Sequence, residues 1–186
     1  VMGAVLILAG CASMDRRADA GASAPDLWHA FNLPGKSPTR YARQHKQGVE
    51  AWHAHADRSA SMWRRKLRVE PERLGLAHFS WWVPDLIESA DLSRVEASDS
   101  PARVIFAFDG DRTRLSARNK AMFELASLLT GEPPPYATLM YVWDPRAQNE
   151  QVLVSGRSDR VRKIVVESGP DQLRKWRHYR RDLRQD

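Results

Sequence analysis

From Trp28 onward the chain is dominated by short runs that alternate apolar and polar residues, rich in Trp, Val, Phe and Tyr and separated by turn residues. Alternation with period two puts successive side chains on opposite faces of an extended strand, and β-branched and aromatic residues suit that pleated surface. The pattern predicts strands at 28–32, 39–44, 49–56, 60–69, 76–83, 102–108, 137–143, 151–155 and 161–167. Leu33-Pro34-Gly35-Lys36-Ser37-Pro38, Asp57-Arg58-Ser59 and Asp109-Gly110-Asp111 read as turns, and Pro84 stops the strand before it. Within 49–56, Val49, Ala51, His53 and His55 fall on one face and Glu50, Trp52, Ala54 and Ala56 on the other.

The period changes between Leu115 and Thr130, where Ala121, Met122, Leu125, Leu128 and Leu129 recur at helical spacing ahead of the stop signal Gly131. Glu132-Pro133-Pro134-Pro135 then forms a stiff connector. Residues 172–183 read as a second, basic helix with Leu173, Trp176, Tyr179 and Leu183 as the stripe that docks it. The acidic, strand-poor stretch Asp85 to Ser100 reads as a surface loop. Many strands at short spacing with one or two helices predict a mainly β sandwich.

Residues 1–11 are a different kind of sequence. The apolar run Val1 to Gly10 stops well short of the about 20 residues a spanning helix needs. Gly3 and Gly10 argue against a buried core helix. The run ends in Leu8-Ala9-Gly10-Cys11 and resembles the lipobox of bacterial lipoproteins. That resemblance implies that 1–10 is a signal peptide, that Cys11 is acylated, and that the protein is held on a membrane. The basic segment that usually opens such a signal is missing and the chain begins with Val1, so the expectation is a fragment whose true start is lost. Ala12 and Ser13 follow Cys11 with no Asp at the second position. By similarity to the sorting rule of enteric bacteria, this favours a periplasm-facing anchor in the outer membrane. Residues 11–26 are small, polar and aperiodic and read as a tether; 27–186 is the folded domain.

The chain has 186 residues with a formal net charge of +6 and a sequence pI near 9.8. A domain of this size builds one core, and its basic surface favours anionic partners such as phospholipid headgroups or acidic glycans. No nucleic-acid motif is present, so nucleic acid is not expected as a partner. Cys11 is the only cysteine, and its acylation excludes disulfides and thiolate metal sites.

Candidate chemistry is sparse. Trp81 and Trp82 are adjacent on one strand, so one enters the core and the other faces outward, where a ring can stack on a sugar. Trp143 with Asp144 pairs an aromatic with an acceptor, a second candidate for glycan contact; a core role competes at each of these tryptophans. His53 and His55 share a face, but two ligands make no zinc site, so no metal is expected. Asp109 and Asp111 flank a turn that can offer oxygens to a ligand, though Arg112 and Arg114 break any calcium-loop pattern and a solvated hairpin turn competes. Asp57, Asp109, Asp144 and Glu167 are the carboxylates available for glycoside hydrolysis, and sequence does not bring them together. No nucleophile motif, phosphate loop or cofactor motif appears.

A set of motifs in order resembles one bacterial family, the DUF3047 proteins. They are Phe31 to Lys36 with Thr39-Arg40-Tyr41, Ala56 to Ser61, Phe79 to Val83, Asp99 to Val104, Ala137 to Asp144, and Arg162 to Gly169 followed by Trp176 and Tyr179 to Asp182. The resemblance covers about 28–186 and transfers no catalytic residue. It implies an exported, jelly-roll-like antiparallel β-sandwich similar to sugar-binding modules, with further strands expected beyond Asp186. Three functions follow as expectations. The first is an envelope lipoprotein binding a glycan or another anionic envelope component. The second is a polysaccharide hydrolase or lyase on the same fold, and the third a scaffold for envelope proteins. Binding leads because no acid–base constellation is visible.

Overall fold

The computed structural model describes residues 28–156 and 158–186. Cys11, the tether and the apolar run therefore lie outside the described residues. The alternating runs fold into strands grouped in four sheets. Strand β1 (His29–Asn32) pairs antiparallel with β4 (Ser61–Arg64), and β2 (Arg40–Lys46) with β3 (Val49–His55). The β2–β3 register brings Lys46 opposite Val49, leaving a two-residue turn. Gln47 (φ 53°) and Gly48 (φ 81°) both adopt the left-handed backbone that such a turn requires.

Strand β5 (Leu76–Trp82) pairs antiparallel with β10 (Trp176–Asp182), while β6 (Arg103–Phe108), β7 (Ala137–Asp144), β8 (Val152–Ser155) and β9 (Ser158–Ser168) form one sheet in the order β6-β7-β9-β8. The β5–β10 ribbon packs on this sheet through Phe79, Trp81 and Val83, which meet Val104, Leu139, Tyr141, Trp143, Ile164 and Val166. The Phe79 and Tyr141 rings stack at 5.3 Å between centroids. The opposite face of the sheet is also covered. Val142 and Val165 are buried there against Leu92 from the 85–100 loop. Lys163 Nζ donates to Leu92 O (3.3 Å) and Ser98 Oγ (2.7 Å), fastening that loop. Burial on both faces explains why β7 carries an almost continuous apolar run instead of a strict alternation.

The expected strands appear, and three details differ from expectation. The segment expected as a basic helix is β10; its period-two face Arg177, Tyr179, Arg181 points to acids on neighbouring elements, and cross-strand pairing with β5 outweighs helix spacing. The expected strand at 60–69 is shorter, ending at Arg64, and it pairs with β1. Past Arg64 the residues Arg65 to Glu70 are exposed and bury no face that would hold a ladder. The larger sheet is mixed, not antiparallel. β8 and β9 form a hairpin that places β9 parallel to β7, with a register shift between Val142 and Trp143.

The helix, α1 (Ala117–Thr130), forms within the segment whose spacing predicts it. Ser116 Oγ accepts from the amide of Asn119 at 3.2 Å, and Gly131 closes the other end at φ 76°. The less exposed face is Asn119, Phe123, Ala126, Ser127 and Thr130, all half-buried, with Asn119 Nδ2 donating to Asp159 Oδ1 at 3.3 Å. The apolar stripe Met122, Leu125, Leu128 and Leu129 faces solvent.

Candidate functional site

The outer face of the β5–β10 ribbon holds the candidate site. Alternation sends Phe79 and Trp81 inward, so His78, Ser80 and Trp82 point outward, opposite Arg180, His178 and Trp176 respectively. The Trp176 and His178 rings are nearly parallel, 20° apart, with centroids separated by 6.4 Å. Trp176 is half-buried and His178 exposed. His178 Nδ1 and Ser80 Oγ lie 2.7 Å apart, a cross-strand hydrogen bond that orients the imidazole.

The β2–β3 turn closes one end of this face. Lys46 holds its ammonium 3.8 Å from the centre of the Trp82 ring, while its carbonyl accepts from Trp176 Nε1 at 3.1 Å. Trp82 is buried between Ala51 and Trp176, and its indole N–H finds no hydrogen-bond partner. Arg180 and His78 extend the face away from the turn, with Asp182 the single acid of the outward ladder at its far end. The surface thus combines two accessible ring faces, a hydroxyl and three basic side chains. Beyond it on β3, the His53 and His55 rings are 6.3 Å apart. Burial, with the neighbouring His55 and Lys46 charges, holds the His53 imidazole below its usual pKa and so favours its neutral form.

The residues expected to contact a ligand are dispersed. Trp81 and Trp143 are fully buried, so neither offers a ring face; the core role applies to both. Trp81 Nε1 donates to Tyr179 Oη (3.2 Å), and Trp143 Nε1 to the carbonyl of Gly169 (3.0 Å). Trp82 belongs to the outer face, but as its buried floor. Asp144 is also buried, and its carboxylate accepts from the amides of Leu92 (3.3 Å), Arg146 (2.8 Å) and Ala147 (2.7 Å). It lines an open cleft of about 260 Å³ with Asp91, Arg146 and Gln151, on the opposite face of the sheet from Trp143. Asp109 is exposed; its carboxylate accepts from the Gly110 amide (2.9 Å) and lies 3.5 Å from Arg112. Asp111 caps the turn that follows. The Asp109-Gly110-Asp111 turn is therefore bound up in its own local geometry.

Glu167 is the one deeply buried acid among the four carboxylates singled out from sequence that meets other titratable side chains. It accepts from Arg177 Nε at 2.8 Å and from the Tyr179 hydroxyl at 2.9 Å. Burial, then this bond, pushes the Tyr179 phenol well above the ordinary tyrosine range. The Glu167–Tyr179–Trp81 chain runs into the core, which makes it a packing element. No three His, Cys, Asp or Glu side chains converge as a metal site among the described residues.

Trp176 and His178 were hidden by the helical reading of 172–183. The signal that locates them is the alternation Trp176-x-His178-x-Arg180 against Arg177-x-Tyr179-x-Arg181, two faces of different chemistry on one strand.

The architecture defines a mainly β protein with one α-helix among the described residues and an aromatic, basic outer face. Its sequence matches the family model described as "Protein of unknown function (DUF3047)" over residues 26–186, and the chain belongs to that family. No curated protein and no solved structure matches it. No helix among the described residues is long and apolar enough to cross a membrane.

Proposed function

We propose that this chain is a membrane-anchored binding module of the bacterial envelope, and that the outer face of its β5–β10 ribbon recognises an acidic glycan. In this reading Cys11 carries the anchor in the outer membrane, facing the periplasm, and ribbon and sheet together form a jelly-roll-type sandwich. The observation that carries the binding role is the pair of near-parallel rings of Trp176 and His178, set between Lys46 and Arg180. Accessible ring faces take the C–H faces of sugars, and flanking cations take carboxylate or phosphate substituents. A neutral oligosaccharide has no use for the cations, which selects the acidic class.

The test is an array of acidic and neutral polysaccharides, probed with the full chain carrying Cys11→Ser and then with Trp176→Ala and His178→Ala added singly. The expected outcome is retention on uronate- or phosphate-bearing glycans, weakened about tenfold by either ring substitution, as removal of a stacking contact worth about 1 kcal/mol or somewhat more requires. Uniform blankness across the array, or binding that both substitutions leave intact, overturns the proposal.

A further inference from the structure

We propose that the outward face of α1 lies in the membrane interface, with anionic phospholipid as its partner. The first observation is the exposure of that face. Leu125, Leu128 and Leu129 are 59%, 84% and 65% accessible, and Met122 lies beside them at 40%. Spacing of three and four residues puts Arg118, Met122, Leu125 and Leu129 on one line, with Ala121 and Leu128 alongside. The half-buried side of the helix, with Asn119 and Phe123, is the opposite one, and Asn119 Nδ2 donates there to Asp159 Oδ1. These leucines therefore add nothing to the core and stand in water unless something covers them.

The second observation is charge. Arg112, Arg114, Arg118 and Lys120 are exposed at the amino-terminal end of the helix with Asp109 and Asp111 among them, and within the helix Arg118 and Lys120 outnumber the one acid, Glu124. Arginine and lysine beside an apolar stripe keep their heads among headgroups while their stems follow the apolar surface. An anionic bilayer meets both requirements with one surface.

The third observation is where the remainder of the chain joins. Just past α1, the Glu132 carboxylate pairs with the Arg64 guanidinium, which holds Glu132 below the usual carboxylate range. Arg64 Nε also donates to His29 Nε2 at 3.4 Å, and the Arg65 guanidinium sits 5.3 Å from the Trp28 ring. Trp28, the first described residue, therefore lies at the end of α1 that carries Leu128 and Leu129. From Cys11 to Trp28 the chain can reach at most about 60 Å even when extended, so an anchor at Cys11 would hold the leucine stripe near the bilayer. This third point rests on the anchoring proposed above; the first two do not.

The test uses the full chain with Cys11→Ser, which removes both the acylation site and the only native thiol. A single new thiol, Leu128→Cys, carries an environment-sensitive fluorophore, and Val154→Cys on β8, 63% exposed, serves as the control. Vesicles of phosphatidylglycerol and phosphatidylethanolamine should shift the label at 128 to the blue and leave that at 154 unchanged. Phosphatidylcholine vesicles should shift it less. Adding Leu125→Ser and Leu129→Ser should weaken the response by roughly tenfold for each leucine. Trp176→Ala should not affect it, which separates this surface from the glycan face.

An unchanged label at 128, or an equal shift at 154, overturns the proposal. So does a blue-shifted label at 128 before vesicles are added. Independence of protein concentration would then assign the stripe to the Val1 to Gly10 run, and dependence on it to a second copy. Because Cys11 is absent throughout, failure here is distinct from failure of lipid attachment.

Discussion

Replacing Glu167 with Gln removes one charge from the interior while preserving side-chain volume. The Glu167 side chain is 5% exposed, and both of its bonded donors reach the same oxygen, Oε2. A hydrogen bond to a charged group contributes about 1.5–3 kcal/mol. Gln can keep a carbonyl oxygen at the position of Oε2 for both donors, but a neutral and weaker acceptor, and it turns an N–H₂ toward the space Oε1 filled. The Arg177 side chain is 39% exposed and regains water when its partner goes, so its share of the loss is moderated. The Tyr179 hydroxyl lies deeper and trades a charged acceptor for a neutral one with no water to make up the difference. We therefore expect Glu167→Gln to cost about 2–3 kcal/mol, and Glu167→Ala about 4 kcal/mol as packing is also lost. For a domain of this size that lowers Tm by roughly 5–10 °C for the Gln variant. Urea unfolding followed by tryptophan fluorescence gives the change directly, with an unaltered slope confirming that the folded and unfolded states keep their extents. A cycle with Tyr179→Phe should show coupling above about 0.5 kcal/mol. A Gln variant within about 0.5 kcal/mol of the parent, or strict additivity in the cycle, refutes the view that these side chains act as one unit.

The tyrosines give a second measurement. Burial, then hydrogen bonds to Asp186 and Glu167 respectively, raises the Tyr141 and Tyr179 phenols far above their unfolded value near 10. A raised folded-state pKa contributes stability that is complete below that unfolded value and is lost as pH rises beyond it. Ultraviolet titration of the four tyrosines should therefore leave these two un-ionised until unfolding, and full tyrosinate absorbance near pH 10 with the fold intact contradicts this. For the anchor, cells grown on radiolabelled palmitate should yield labelled protein, and Cys11→Ser should abolish the label; an unlabelled parent chain removes the membrane attachment from the functional proposal.

Strand positions were legible because period two is local. Leu76 to Val83 and Ala137 to Trp143 could be read without knowing what they face. What they face was not legible. Trp81 and Trp82 were assignable to opposite sides, but not to a core and to a covered second face beneath Lys46. Leu173, Trp176, Tyr179 and Leu183 fit helical spacing as well as Trp176, His178 and Arg180 fit strand spacing. Pairing with a segment nearly a hundred residues earlier decides between them, and no local window contains that information. The helix itself was recognised from its spacing, while the face it turns to solvent was not legible. An apolar stripe marks a face that avoids water, and spacing alone does not say whether the cover is the protein's own core. Asp144 followed the same logic: its acceptor chemistry was visible, but the amides that consume it come from a distant loop and the next turn.

The union of β5 with β10 has a consequence for how the molecule is made. Leu76 to Trp82 leaves the ribosome long before Trp176 to Asp182 exists, and until then its ladder has no mate. An unpaired, uncharged, aromatic-rich segment is prone to join its counterpart on another nascent chain. Closing so long a loop is also slow. The interval between those two syntheses is the period of greatest hazard for this polypeptide, and a holding chaperone that binds Phe79 to Val83 would bridge it.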